Sequence, residues 1–134
     1  MKSEHRQLIR KLDRIFSEFI RLRHARNGIS QCYTCGKTEY WNNEMQCGHY
    51  VKRGNKVSTR FDMINCQVQC KHCNEVLDGN LDVFAERLDS EYGRGTAEGL
   101  RLKPSKKIYC YELKELINKY QNEVKILKIK NNVK

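Results

Sequence analysis

Cys32-Tyr33-Thr34-Cys35 and Cys70-Lys71-His72-Cys73-Asn74 carry two Cys-x-x-Cys pairs, and Gly48-His49-Tyr50 lies between them. Each pair forms a knuckle whose short loop lets both sulfurs reach one ion, and four such thiolates close a tetrahedral zinc site. The spacing therefore predicts a structural zinc on Cys32, Cys35, Cys70 and Cys73. With four sulfurs bound, no coordination position stays open for catalysis. His72 lies between the sulfurs of the second pair and is not needed as a ligand. The intervening stretch is clamped at both ends, and a histidine held there, His49, suits proton transfer near neutral pH. Cys47, Cys66 and Cys110 sit among apolar or strand-like neighbours and read as small buried thiols.

Outward from this frame the pattern is α+β. Residues 30–66 read as non-helical, with short β segments around 45–51 and an irregular loop through Gly54-Asn55. A short helix is expected from Cys73 to about Gly79. Asn80 reads as the N-cap of a further helix, with Leu81, Phe84 and Leu88 on one face and Gly93 at its end. Before the frame, Leu8, Leu12, Ile15, Phe16, Phe19 and Ile20 make an amphipathic helix with Asn27-Gly28 as its stop. After it, Leu113, Leu116, Ile117, Tyr120, Val124 and Leu127 make another. These stripes fit packing against each other or against a second subunit equally well. The expected organisation is one compact domain: a basic helix at 1–28, a zinc-stapled core at 29–95 and a basic helical region at 96–134.

A chain of 134 residues with 39% hydrophobic content builds a single thin core, for which bound metal is part of the folding free energy. No apolar run is long enough to span a bilayer, and Met-Lys-Ser-Glu-His-Arg has no apolar core of a secretory signal. The odd count of seven cysteines and their tight pairing favour zinc thiolates in a reducing cytoplasm over disulfides. Net charge is +10, and the excess lies at the ends: residues 1–28 hold eight Lys/Arg against three acids, residues 101–134 ten against three. Within the core, Lys52, Arg53, Lys56 and Arg60 follow His49. This distribution suits a polyanion, whose phosphates give sequence-independent affinity, although high net charge also serves solubility.

The series Gly48-His49-Tyr50, Ser58-Thr59-Arg60-Phe61-Asp62, Asn65, Gln69-Cys70, Cys73-Asn74 and Gly79-Asn80 resembles the phage NinG (Rap) recombination endonucleases, within the zinc-stapled HNH or His-Me finger nucleases. The resemblance covers most of the chain. It implies a ββα-metal core and a metal-dependent endonuclease acting on branched DNA such as Holliday junctions. His49 would be the general base, Asn65 the residue that holds the loop and orients His49, and Asn74 the ligand of a catalytic Mg²⁺ or Mn²⁺. Lys52, Arg53, Lys56 and Arg60 would meet DNA phosphates. A homodimer would match the two-fold symmetry of a four-way junction, and the setting would be a bacterial host cell carrying a phage or prophage. In one respect the chain departs from the pattern. Many HNH enzymes place Asp or His just before the base as a second ligand, where this chain has Gly48. Cys47, Glu44 and Asp62 remain as alternatives. The same departure keeps open a catalytically weak or inactive zinc module that binds branched or single-stranded nucleic acid.

Overall fold

Ser3 opens the first helix, α1 (Glu4–Leu22), its hydroxyl accepting from the Arg6 amide at 3.2 Å while Glu4 faces the positive helix end. The computed structural model describes residues 3–54 and 57–134. The α1 stripe buries Leu12, Ile15, Phe16, Phe19, Ile20 and Leu22. The helix stops at Leu22, short of the expected Asn27-Gly28 pair. Asn27 and Gly28 instead take left-handed φ values of 50° and 79°. Arg26 and Ile29 exchange both backbone hydrogen bonds across them at 2.9 Å. The pair is thus a tight hairpin turn, for which Asn-Gly has the required backbone freedom.

The hairpin leads into β1 (Ile29–Gln31), antiparallel to β2 (Thr38–Tyr40), with the first knuckle in the connection between them. A second ribbon pairs β3 (Met45–His49) with β4 (Cys66–Cys70), also antiparallel. Its register sets Met45 opposite Cys70, Cys47 opposite Val68 and His49 opposite Cys66. Between these strands, α2 (Val57–Arg60) supplies a helical turn inside a stretch expected to be non-helical. The second knuckle passes into one π-helical turn, His72–Val76, in place of the expected short helix. Such turns are frequent at functional sites.

Beyond it, α3 (Leu81–Tyr92) follows Asn80, which sits at φ 49° and makes no side-chain cap. The Asn80 amide donates instead toward the Cys73 sulfur at 3.8 Å, tying the helix start to the knuckle. The stretch after Gly93 folds into α4 (Thr96–Leu102), with the Asp89 carboxylate accepting from the Ala97 amide at 2.9 Å. Phe84 and Leu88 of α3 and Ala97 and Leu100 of α4 close a small core over Tyr33, Tyr50 and Val51.

The last helix, α5 (Cys110–Lys130), lies along α1. Tyr120 meets the Phe16 and Phe19 rings at centroid distances of 5.0 and 4.8 Å, and Lys128 pairs with Glu18 at 3.2 Å. The two terminal stripes therefore cover each other, and α1 presses its remaining apolar surface onto β3 and β4. Among the described residues, no helix is long and apolar enough to cross a membrane.

Candidate functional site

The sulfurs of Cys32, Cys35, Cys70 and Cys73 all lie within 4.8 Å of one another, and Cys35 and Cys70 are 3.7 Å apart. Cys32, Cys70 and Cys73 are buried and Cys35 sits at the surface. The knuckle geometry explains the convergence. The Gly36 amide donates to the Cys32 carbonyl at 3.0 Å with φ at 80°, and the Cys73 amide donates to the Cys70 sulfur at 3.4 Å. Burial pushes the Cys32 thiol up, but hydrogen bonds from Cys70, Thr34 and Cys35 outweigh it and hold the group down at about 6. A thiolate so stabilised is ready to ligate. Four sulfurs at this separation fit a tetrahedral zinc, so the quartet can hold a structural zinc ion.

His49 ends β3 and is partly buried. Its Nε2 lies 3.0 Å from the Arg60 carbonyl oxygen. A carbonyl only accepts, so Nε2 carries the proton and the lone pair resides on Nδ1. Burial lowers the imidazole's pKa, with Arg53 and Arg60 adding to the effect against the Arg60 carbonyl and Asp13. The ring is therefore neutral at neutral pH and able to take a proton.

Asn65 sets that carbonyl in place. Fully buried, it accepts from the Val51 amide at 2.8 Å and donates to the Val51 and Thr59 carbonyls at 3.2 and 3.0 Å. It thus ties the strand exit to α2, one residue from Arg60. Asp62, an alternative for a cation ligand, is taken up otherwise. Its carboxylate accepts from the Ile64 and Asn65 amides at 2.8 and 3.0 Å and pairs with Lys103 at 2.9 Å.

Asn74 stands in the π turn and donates to the Gln46 side-chain oxygen at 2.7 Å. Its amide nitrogen is occupied while Oδ1 makes no hydrogen bond among the described residues. Asn74 and His49 line one cavity of about 330 Å³, together with Asp13, Phe16, Gln46, Cys47, Lys52 and Arg53. Glu44 and Asp62 are not among its lining.

Asp13 is the residue that sequence reasoning missed. It belongs to α1, follows buried Leu12 and brings a carboxylate into the cavity wall. Arg60 holds it through two hydrogen bonds of 2.9 and 2.5 Å, and Arg53 lies 3.7 Å away. The available signal was an acid beside the apolar stripe of a helix rich in arginine. Of the basic group, Lys52 and Arg53 line the cavity, whereas Arg60 is engaged by Asp13; Lys56 lies outside the described residues. Lys52 also contacts the Asp78 carbonyl and carboxylate at 2.9 and 3.2 Å.

The space beside Gly48 is filled from across the ladder. A Cβ there would lie 1.9 Å from the Gln69 side-chain oxygen. Gln69 is fully buried and donates to the Thr34 hydroxyl at 3.0 Å and the Gly79 carbonyl at 2.9 Å, cross-tying the two knuckles. A ligand before His49 is therefore excluded sterically. Gly48→Ala is expected to displace Gln69 and lower stability by about 1–3 kcal/mol, read as a shifted urea midpoint of the zinc-loaded protein.

With this geometry established, comparison with known protein families places the chain beside one of them. The family model described as Bacteriophage Lambda NinG protein matches residues 1–130. No curated protein and no solved structure matches the chain.

Proposed function

Since the chain belongs to the family of the bacteriophage Lambda NinG protein, we propose that it is a metal-dependent, structure-specific endonuclease of the zinc-stapled HNH type, acting on branched recombination intermediates of DNA. The observation that carries this reading is the shared cavity: an imidazole with its lone pair fixed on Nδ1, and an amide whose oxygen is unspent, line one basic pocket.

Asn74 Oδ1 would hold Mg²⁺ or Mn²⁺, hard ions that bind through a few protein oxygens and keep several waters. Once bound, such an ion stabilises negative charge on the phosphate and on the leaving oxygen. His49 Nδ1 takes the proton of the attacking water as the new P–O bond forms on the far side of the scissile P–O3′ bond. Breaking that bond leaves a 5′-phosphate and, after protonation, a 3′-hydroxyl. Asn65 acts through the loop by holding the Arg60 carbonyl against the ring. Asp13 is the acid of the cavity wall, and its carboxylate, paired with Arg60, would accept hydrogen bonds from water in the cavity.

A second cavity of about 340 Å³ shares Arg53 with the first and is lined also by Arg60, Ser105, Lys106 and Lys107. It extends the basic surface from the cavity to the segment before α5, where Lys106 and Lys107 would meet phosphates of a DNA strand. Lys106→Ala/Lys107→Ala is expected to weaken binding of every DNA form alike. The same change should flatten the log–log salt dependence by about one for each phosphate no longer neutralised, measured by fluorescence anisotropy across a salt series. Ile126 and Ile129 of α5 remain exposed and offer a seam for a dimer whose symmetry would match a four-way junction.

One observation favours a second reading, a zinc module that binds branched DNA without cutting it. Among the described residues, the only acid of the cavity lining is already matched to arginine. Labelled four-way junction and linear duplex, incubated in Mg²⁺, Mn²⁺ or EDTA, separate the two. The nuclease reading expects junction cleavage that EDTA abolishes. Tight junction binding with no product in either cation would favour the module.

A further inference from the structure

The β3–β4 ribbon carries a second cluster of metal-ligating side chains. Cys47, His49 and Cys66 bring their ligand atoms within 4.8 Å of one another. The register accounts for this. His49 and Cys66 are direct cross-strand partners, and Cys47 lies two residues before His49, so all three side chains leave the same face of one ribbon. The frame is rigid, since Cys66 is fully buried and its strand ends in the zinc knuckle.

We propose that Cys47, His49 and Cys66 form a second site for a thiophilic divalent ion, zinc above all, separate from the four-cysteine site. Two thiolates and an imidazole are a ligand set that zinc accepts with a fourth position left over. Cys47 and His49 both line the cavity, so water or a phosphate oxygen can reach that position. Two thiolates cancel the charge of the ion, which suits a site under α1 where an uncompensated charge would be costly. Tetrahedral ligands stand about 3.4–3.8 Å apart around zinc, so small side-chain rotations close the distance.

In the ion-free chain the same groups point protons at one acceptor. The Cys66 sulfur lies 3.4 Å and His49 Nε2 3.0 Å from the Arg60 carbonyl oxygen. On binding, both thiols release their protons to solvent and the ion takes their place. A neutral imidazole has one ring lone pair to give. Whichever nitrogen binds, none is left to accept a proton from water. The site is thus built to silence His49 when zinc is in excess; this consequence, unlike the site itself, rests on the nuclease reading.

The experiment uses the full chain carrying one zinc, kept under a phosphine reductant, and Co²⁺ as probe. Metal per chain is counted after equilibrium dialysis, and the visible spectrum is followed for sulfur-to-cobalt charge transfer. The wild type is expected to take a second equivalent with a thiolate signature. Cys47→Ser and, independently, Cys66→Ala are expected to lose that equivalent while keeping the first zinc and the circular-dichroism spectrum of the fold. A wild type that stops at one equivalent overturns the site, as does a second equivalent that persists in both variants. In parallel, zinc at about ten times its dissociation constant should lower junction cleavage roughly tenfold. If no condition yields cleavage, the nuclease reading fails and the metal count still decides the site.

Discussion

Stripping zinc from protein loaded with it at Cys32, Cys35, Cys70 and Cys73 is expected to unfold the core. Binding of a structural zinc supplies about 10–16 kcal/mol in small zinc modules, as large as the whole stability of an ordinary domain, about 5–15 kcal/mol. The geometry shows why little would remain. Cys70 ends β4 opposite Met45, Cys73 sits in the π turn directly before Asn74, and Gln69 and Asn80 tie the knuckles to the surrounding chain. Without an ion, thiols crowd one another in a partly buried pocket, and the hydrogen bonds of Gln69 and Asn80 are left to tie the loops together. Chelation, or Cys70→Ser, should abolish the dispersed amide spectrum of residues 29–80 and the cooperative urea transition of that region. The α1–α5 pair, held by its own aromatic contacts, should keep part of its helical signal. An apo protein with an unchanged spectrum and midpoint would contradict this.

The second large effect belongs to His49. His49→Ala is expected to lower junction cleavage by about 10²–10⁴-fold, the range of a general base, with DNA affinity nearly unchanged. Loss of the ring leaves the Arg60 carbonyl its partner in the Cys66 thiol at 3.4 Å, so the loop keeps an anchor and retained binding is a meaningful control. The pH profile carries a further sign. Burial holds the His49 pKa below its ordinary value, so the imidazole stays neutral at pH 7, and cleavage is expected to fall off as pH drops through that lowered pKa. Stability follows the same direction. The unfolded imidazole binds its proton more readily, so stability drops as pH falls from the unfolded value toward the folded one. A cleavage rate indifferent to His49→Ala would remove the imidazole from the role of base.

The sequence exposes some parts of this site directly because their spacing encodes geometry. A Cys-x-x-Cys loop can point its sulfurs few other ways, so the quartet converges as read. The terminal stripes are equally legible, though only the packing of Tyr120 on Phe16 and Phe19 shows that they meet within one chain. Other parts depend on the meeting of distant segments. Asp13 reaches the cavity because one turn of α1 crosses the β3–β4 ribbon, and periodicity does not say which turn that is. Gly48 lacks a side chain because Gln69 needs the space, a fact of strand register rather than of local sequence. Arg60 reads as a phosphate contact from its charge alone, yet its guanidinium is bound to Asp13. Asn27-Gly28 suits a helix stop and a hairpin turn alike, and the bridge from Arg26 to Ile29 decides for the turn.

The proposed chemistry requires a hard cation to meet His49 in the cavity beside α1. Crystals of the zinc-loaded protein soaked in Mn²⁺ test this most directly through the anomalous signal of manganese. The expected result is a peak bonded to Asn74 Oδ1 inside the cavity, with His49 Nδ1 facing the space between ion and solvent. A cavity free of manganese at saturating concentration, or a peak held by residues away from Asn74 and His49, would contradict it.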